Sequence, residues 1–234
     1  MSTLLLLRHG LTKLTGPVLA GRTPGLHLDE RGQAQAEAVA ARLAVLPLAA
    51  ILSSPLERCT DTAAVVRAVQ QSAGREPLWE LDERLVECGY GDWTGRAIKE
   101  LTKDPVWKVV QTQPSAARFP GGESLSEVSA RAVAAVRDWD ARLGPDAIWV
   151  VCSHGDVIKA ILADALGLHL DQFQRIVVDP CSVSVVRYTD TRPYVLRAND
   201  VGGDLSAFAP PAKKARRRTS SEATPGGGAG SGQV

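Results

Sequence analysis

The stretch Leu4-Leu5-Leu6-Leu7-Arg8-His9-Gly10 joins an uninterrupted apolar run to two polar side chains and a glycine. Four consecutive leucines are typical of a strand that is buried on both faces of a parallel sheet. In open α/β sheets, ligands bind beyond the carboxyl ends of the strands. The stretch therefore predicts an α/β fold, and it places Arg8 and His9 where such a fold binds its ligand.

A second segment of the chain has the same form. The apolar run Trp149-Val150-Val151-Cys152 leads into Ser153-His154-Gly155, and a helical pattern follows. Glycine after the histidine allows the backbone to come close to a ligand, and the amides at the helix start, including that of Gly155, favour an anion. One histidine near a strand end is more often a hydrogen-bonded structural residue. Two such units in one chain favour a shared functional site.

Short apolar runs alternate with helical patterns along the rest of the chain. Strands are predicted over 4–7, 50–53, 147–152, 182–188 and 193–198, and helices over 29–46, 56–71, 124–143 and 155–166. This alternation predicts a three-layer α/β domain over residues 1–208, with a mostly parallel central sheet and helices on both faces. Residues 209–234 are rich in proline, glycine, serine and basic residues, and we predict that this tail is disordered.

Composition narrows the class of protein. The chain has 234 residues, of which 44% are hydrophobic and 23% charged, as in ordinary globular domains. The net charge is +1, and the basic run Lys213–Arg218 makes the tail positive, so the folded part has no basic excess that would suggest nucleic-acid binding. The start of the chain fits neither a signal peptide nor a membrane span. Four cysteines without a CxxC pair indicate reduced thiols, and we expect a cytoplasmic protein without membrane or nucleic-acid partners.

Two further segments add chemistry to the strand-end histidines. Arg58 follows the second predicted strand, and Glu87 lies in the glycine-rich segment 85–95. Arginine forks match phosphate oxygens, imidazole can attack phosphorus to form a covalent intermediate, and a carboxylic acid can protonate a leaving alcohol. No HExxH, paired CxxC or Walker-type motif competes with this reading, so we predict no metal site and no cofactor.

With these residues in place, the sequence resembles the histidine phosphatase superfamily, in its phosphoglycerate-mutase-like branch, over about residues 3–200. Five segments carry the resemblance in family order: Arg8-His9-Gly10 with Thr12, Ser54–Arg58 with Thr62-Ala63, Leu85–Gly95, Gly121–Ser124, and Ser153–Gly155. The first of these alone is a weak signal, whereas five in order are specific. The resemblance implies a phosphoglycerate-mutase-like fold.

The resemblance also implies roles for five residues. His9 would be phosphorylated during turnover, while Arg8, Arg58 and His154 would surround the transferred phosphoryl group. Glu87 would protonate the leaving oxygen and later act as the base for the attacking water. Glu83 is a competing acid, but it lies eight residues before Gly91, whereas the family places its acid four residues before that glycine.

Four further residues are candidate contacts to the substrate. Family members often carry asparagine at the position of Thr15, and a hydroxyl can still donate a hydrogen bond there. The following stretch is about three residues shorter than the usual loop and contains Gly21 and Arg22. We take Thr15, Gly21, Arg22 and Gly155 as candidate contacts to substrate, with a surface role equally open for Arg22.

Three functions remain in competition at this point. The first is a phosphomonoesterase for a small phosphorylated metabolite, the second a phosphoglycerate mutase, and the third a phospho-ligand binding protein without catalysis. True mutases carry a longer basic insertion where this chain has only residues 97–120, with Lys99, Lys103, Lys108 and Arg118 scattered through it. The short segment favours hydrolysis. The two late strands could also supply an edge for a homodimer.

Overall fold

Within residues 1–203 and 225–226, which the computed structural model describes, six strands form one sheet in the order β3-β2-β4-β1-β5-β6. The strands are β1 (Ser2–Arg8), β2 (Ala50–Ser53), β3 (Leu78–Leu81), β4 (Ile148–Ser153), β5 (Val183–Tyr188) and β6 (Tyr194–Asp200). The pairs β3-β2, β2-β4 and β4-β1 are parallel, while β5 pairs antiparallel with both β1 and β6. The sheet is therefore mostly parallel, as predicted.

Strand β1 lies in the middle of this sheet because its leucines can be buried on both faces. Leu4, Leu6 and Leu7 have no exposed surface, and β1 pairs with β4 on one side and β5 on the other. Leu4 and Leu6 belong to the hydrophobic core on one side of the sheet, and Leu5 and Leu7 belong to the core on the other side. An all-leucine strand satisfies both layers at once.

Helices cover both faces of the sheet and give the predicted three-layer architecture. They are α1 (Glu30–Leu43), α2 (Glu57–Ser72), α3 (Ile98–Leu101), α4 (Pro105–Thr112), α5 (Leu125–Leu143) and α6 (Gly155–Ala165). Side chains of α1 and α2 pack on one face, and those of α4, α5 and α6 on the other. Helix α5 starts with a capping box in which Ser124 and Glu127 satisfy each other's backbone amides.

Three elements were not predicted from the sequence. Strand β3 is a largely exposed edge strand without alternation of apolar and polar residues, so its pattern carries little signal. The short helices α3 and α4 lie in residues 97–120. There Trp107 and Val110 are buried against the main core, and Asp104 caps α4 ahead of a proline.

The ends of the other elements agree with the predictions to within about three residues, which is the ordinary uncertainty of boundaries. All four cysteines are buried and free. Among the described residues, every helix is too short or too polar to cross a membrane. The tail that we predict to be disordered, 209–234, lies outside the described residues except for Pro225 and Gly226.

Candidate active site

The two strand-end histidines meet at one edge of the sheet. Arg8 ends β1 and pairs in register with Ser153, the last residue of β4, so the residues that follow them are neighbours. The rings of His9 and His154 lie edge to face with centroids 5.2 Å apart. Both side chains are buried. The parallel pairing of two similar strand ends therefore produces the juxtaposition that the sequence predicted.

Arg58, the second residue of α2, connects both histidines to the neighbouring loop. Its Nε donates to Nε2 of His9 at 3.3 Å, and its Nη2 donates to Nδ1 of His154 at 3.1 Å. The same Nη2 donates to the carbonyl oxygen of Gly21 at 2.7 Å. Its Nη1 is buried and has no hydrogen-bond partner among the described residues. A buried guanidinium nitrogen without a partner is an unmet donor that fits an anion.

The contacts of His9 fix its tautomer. Nδ1 lies 2.7 Å from the carbonyl oxygen of Gly10, which can only accept, so Nδ1 carries the hydrogen. Nε2 accepts from Arg58 and therefore keeps a lone pair. Burial lowers the pKa of His9 well below its usual value, and the charges of Arg58 and Arg8 lower it further. His9 is thus a neutral imidazole with its basic nitrogen beside two cations.

His154 is held in the opposite tautomer. Its Nδ1 accepts from Arg58, so Nε2 carries the hydrogen and donates to Oγ of Ser54 at 2.8 Å. The Sγ atom of Cys59 lies 3.4 Å from the same Nε2. Burial lowers the pKa of His154, with the Arg58 charge as the next cause. The site therefore starts with two neutral imidazoles and two guanidinium groups, those of Arg58 and Arg8.

Arg8 and Glu87 complete the predicted set of five. Arg8 is buried and donates from Nη1 to the carbonyl oxygen of Val178 at 2.8 Å. Glu87 is 3% exposed, and its Oε1 accepts from the amide of Cys88 at 2.9 Å. Burial raises the pKa of Glu87 to about 7, and the negative charge of Asp156 adds to this effect. A carboxyl with this pKa holds its proton through weakly acidic conditions.

The loop that carries Glu87 is fixed from outside by three charged side chains. Arg22 donates from Nε to the carbonyl oxygen of Glu87 at 2.8 Å, and Arg131 donates to the same oxygen at 3.2 Å. Glu123 accepts from both arginines and from the amide of Gly89. Glu123 of the Gly-Gly-Glu-Ser motif therefore helps to hold the loop of Glu87 in place.

A cavity of about 30 Å³ is lined by four of the five predicted catalytic residues, and His154 lies outside its lining. Its lining includes Arg8, His9, Thr12, Thr15, Gly16, Val18, Leu19, Ala20, Gly21, Arg58, Glu87, Tyr90, Pro225 and Gly226. Two of the four candidate substrate contacts, Thr15 and Gly21, are in this lining, whereas Arg22 and Gly155 are not. Glu83 is exposed and also lies outside the cavity, so the geometry favours Glu87 as the acid.

Two residues of the site were missed by reasoning from the sequence. The hydroxyl of Tyr90 lines the cavity and donates to Oδ2 of Asp156 at 2.8 Å. Asp156 is the second residue of α6 and looks in the sequence like an ordinary acid at a helix start. The one sequence feature that could have pointed to Asp156 as a residue of the site is its position two residues after His154. Among residues 1–203 and 225–226, no group of three or more His, Cys, Asp or Glu side chains could hold a metal ion.

Comparison with known proteins agrees with this fold. A family model described as histidine phosphatase superfamily (branch 1) matches residues 4–201. The chain is 31% identical over 204 residues to phosphoserine phosphatase 1 of Hydrogenobacter thermophilus, which covers 85% of this chain and 92% of that protein. It is 28% identical over 211 residues to the probable phosphoglycerate mutase GpmB of Enterobacter sp. (strain 638), covering 88% and 95%.

A solved structure extends the comparison to three dimensions. Mycobacterial glucosyl-3-phosphoglycerate phosphatase Rv2419c aligns with a TM-score of 0.74 at 26% identity, covering 85% of this chain and 98% of that one. The chain belongs to branch 1 of the histidine phosphatase superfamily. The family and the fold predicted from the motifs are thus confirmed.

Proposed function

We propose that this protein is a metal-independent phosphomonoesterase that hydrolyses a small phosphorylated metabolite through a phosphohistidine on His9. One observation carries the proposal. The hydrogen bond from Nδ1 to Gly10 places the lone pair of His9 on Nε2, and His9 and Glu87 line the same cavity. A nucleophile and a proton donor in one buried site are what ester cleavage requires.

In the first step, Nε2 of His9 attacks phosphorus and the bond from phosphorus to the ester oxygen breaks. The proton held by Glu87 moves to that oxygen, so the product leaves as a neutral alcohol. The new phosphorus–nitrogen bond gives phosphohistidine, and its positive ring is stabilised by the phosphoryl charge beside it. Glu87 is left as a carboxylate.

In the second step, that carboxylate takes a proton from water while the water oxygen attacks phosphorus. The phosphorus–nitrogen bond breaks, His9 returns to its neutral form, and inorganic phosphate leaves. Glu87 is protonated again and ready for the next ester. The same carboxyl therefore serves first as acid and then as base.

The guanidinium groups of Arg8 and Arg58 supply the positive charge that the transferred phosphoryl group needs. Phosphoryl transfer depends mostly on positioning and on stabilising charge on the phosphoryl oxygens. Arg58 donates to both imidazoles from Nε and Nη2, and its buried Nη1 has no hydrogen-bond partner among the described residues. This arrangement is the reason for proposing activity without a metal ion.

A phosphomutase remains the second candidate, because the relative from Enterobacter is named a probable phosphoglycerate mutase. A mutase has to hold a second phosphate group. The basic residues of segment 97–120 (Lys99, Lys103, Lys108 and Arg118) are exposed, and none of them lines the cavity. This observation supports hydrolysis. The names of the relatives suggest phosphoserine and phosphoglycerate derivatives as the first esters to test. The third candidate, a phospho-ligand binding protein without catalysis, would bind phosphate through the same groups, Arg8 and Arg58.

The test measures phosphate release from a panel of monoesters in the presence of a chelator. Wild type should release phosphate, and His9→Ala should release none. The matched control is His27→Ala, since His27 is exposed and pairs with Asp61 at the surface, and this variant should behave as wild type. Acid-labile phosphate on wild type but not on His9→Ala would identify the intermediate. Isomerisation of 3-phosphoglycerate without release would favour the mutase, and neither activity would favour the binding protein.

A further inference from the structure

Asp156 is a buried carboxylate that none of the proposed catalytic steps uses. Its side chain has no exposed surface. Oδ2 accepts from the hydroxyl of Tyr90, while Oδ1 has no hydrogen-bond partner among the described residues and lies 3.7 Å from Nζ of Lys159. A buried carboxylate with one unsatisfied oxygen lowers the stability of a fold. Its presence beside a catalytic cavity therefore suggests a function.

Tyr90 connects Asp156 to the proposed acid. Tyr90 and Glu87 belong to the same loop and line the same cavity. A Cβ atom placed on Gly226 would lie 3.1 Å from the Tyr90 hydroxyl oxygen and 3.6 Å from Oε2 of Glu87. Both oxygens therefore face the same point of the cavity, with Asp156 directly behind the tyrosine.

The charged groups around Glu87 shift its pKa in opposite directions. Arg8 from β1 and Arg58 from α2 favour its carboxylate form, whereas Asp156 from α6 favours its neutral form. The other charged or titratable groups that act on Glu87 or its loop are Arg22, Cys88, Tyr90, Glu123, Arg131 and Lys159. The two nearby arginines lower the pKa of Glu87, whereas burial of the carboxyl raises it most and the negative charge of Asp156 adds to that rise.

We propose that Asp156 is a positioning residue for the phosphatase reaction, whose buried negative charge behind Tyr90 keeps Glu87 protonated until the ester bond breaks. This inference rests on the proposed function. Lys159 has the complementary task of keeping Asp156 ionised. Its Nζ is buried, faces Asp156, and donates to Oε1 of Gln174 at 3.1 Å.

Alkyl and aryl phosphates differ in whether their leaving group needs the proton of Glu87. An alkyl alkoxide leaves only if it is protonated, whereas an aryl oxide with a low pKa leaves without a proton. Loss of the Asp156 charge should therefore affect alkyl phosphates at neutral pH and spare aryl phosphates. A merely structural role would affect both esters alike and at every pH.

The experiment records kcat/KM against pH for an alkyl and an aryl phosphate, since kcat/KM reports on the ionisation of the free enzyme. With Asp156→Asn, the alkaline limb for the alkyl ester should move down by about one pH unit, and the aryl profile should stay in place. The matched control is Asp164→Asn on the same helix, where Asp164 pairs with Arg137 at the surface. Both its profiles should match wild type.

Asparagine at position 156 leaves Lys159 buried without its anion, and this variant could fail to fold. A second variant therefore removes the Lys159 charge as well. Asp156→Asn with Lys159→Met removes both charges, and because the Lys159 charge also acts on Glu87, the shift should have the same direction and be smaller. An alkaline limb at the wild-type position in a folded variant would overturn the inference while leaving the phosphatase intact. Unfolding of both variants would assign Asp156 to the fold and would also overturn it. Absence of phosphate release from wild type would instead overturn the proposed function.

Discussion

Arg58 donates a hydrogen bond from Nε to Nε2 of His9 over 3.3 Å, so the proposed nucleophile is bound to a cation before any substrate is present. The same guanidinium holds His154 and the carbonyl oxygen of Gly21. One side chain therefore orients the nucleophile, the second imidazole and the wall of the cavity. A planar group with several donors in fixed directions can do this, and a single ammonium cannot.

Arg58→Lys should consequently lower kcat strongly although the charge is kept. We expect a loss of about 100-fold, the size found when one preorganised donor is removed from a transition state. Steady-state kinetics on the best ester would measure it. Arg67→Lys is the matched control on the same helix, because Arg67 only lies over the ring of Trp79. A kcat for Arg58→Lys near that of wild type would contradict the orienting role.

The pH dependence of an alkyl phosphate should follow Glu87. Its pKa is raised to about 7, so the acid form is available below that pH and is lost above it. The pKa of His9 is lowered, so its nitrogen stays free for attack well into the acid range. We expect kcat/KM to be steady in weak acid and to fall about tenfold per unit above pH 7.

Glu87→Gln tests the origin of that fall. Glutamine cannot donate a proton to an alkoxide, so turnover of the alkyl ester should be lost, while formation of phosphohistidine from an aryl phosphate should persist. Rapid-quench measurement of the phosphorylated enzyme would show this. Glu83→Gln is the control, since Glu83 is exposed and outside the cavity. Retention of alkyl turnover by Glu87→Gln would assign the acid to another residue.

The sequence predicted those parts of the fold in which a buried apolar run leads directly into residues of the site. Strands β1 and β4 were predicted because continuous apolar runs end in His-Gly, and their parallel pairing then brings His9 and His154 together. Strand β3 could not be predicted, because an exposed edge strand needs no particular pattern. The link from Tyr90 to Asp156 spans 66 residues and depends on how a loop packs on a helix, which periodicity does not encode.

Helix α1 packs against the loop that follows His9 so closely that only glycine fits. A Cβ on Gly32 would lie 2.0 Å from the carbonyl oxygen of Leu11, and one on Gly10 would lie 2.6 Å from that of Gly32. Replacing glycine by alanine inside a helix normally stabilises a protein by about 1 kcal/mol. Gly32→Ala should instead lower the free energy of unfolding by about 2 to 4 kcal/mol.

Urea denaturation would measure this difference. Ala34→Gly, at an exposed position of the same helix, should cost only the helix propensity of about 1 kcal/mol. If Gly32→Ala proved as stable as wild type or more so, the close contact between α1 and the loop after His9 would be wrong.

Pro225 and Gly226 occupy part of the cavity wall and leave about 30 Å³ of space. This is room for about two water-sized spheres, which is too little for the alcohol part of most esters. A chain ending at Gly203 should therefore hydrolyse bulky esters with a lower KM than wild type. A chain ending at Gly226 is the control and should keep the wild-type KM. Equal KM values for all three chains would contradict this prediction.

The central position of β1 has a consequence for how the protein is made. Strand β1 pairs with β4 and β5, which begin at Ile148 and Val183, so both of its partners are synthesised well after it. At about 5 to 20 residues per second, the leucine run waits roughly 7 to 30 s for β4 to be synthesised. During that time the apolar run Leu4–Leu7 is exposed to solvent and to other nascent chains. Folding of this protein should therefore depend on chaperones that bind the Leu4–Leu7 run during synthesis.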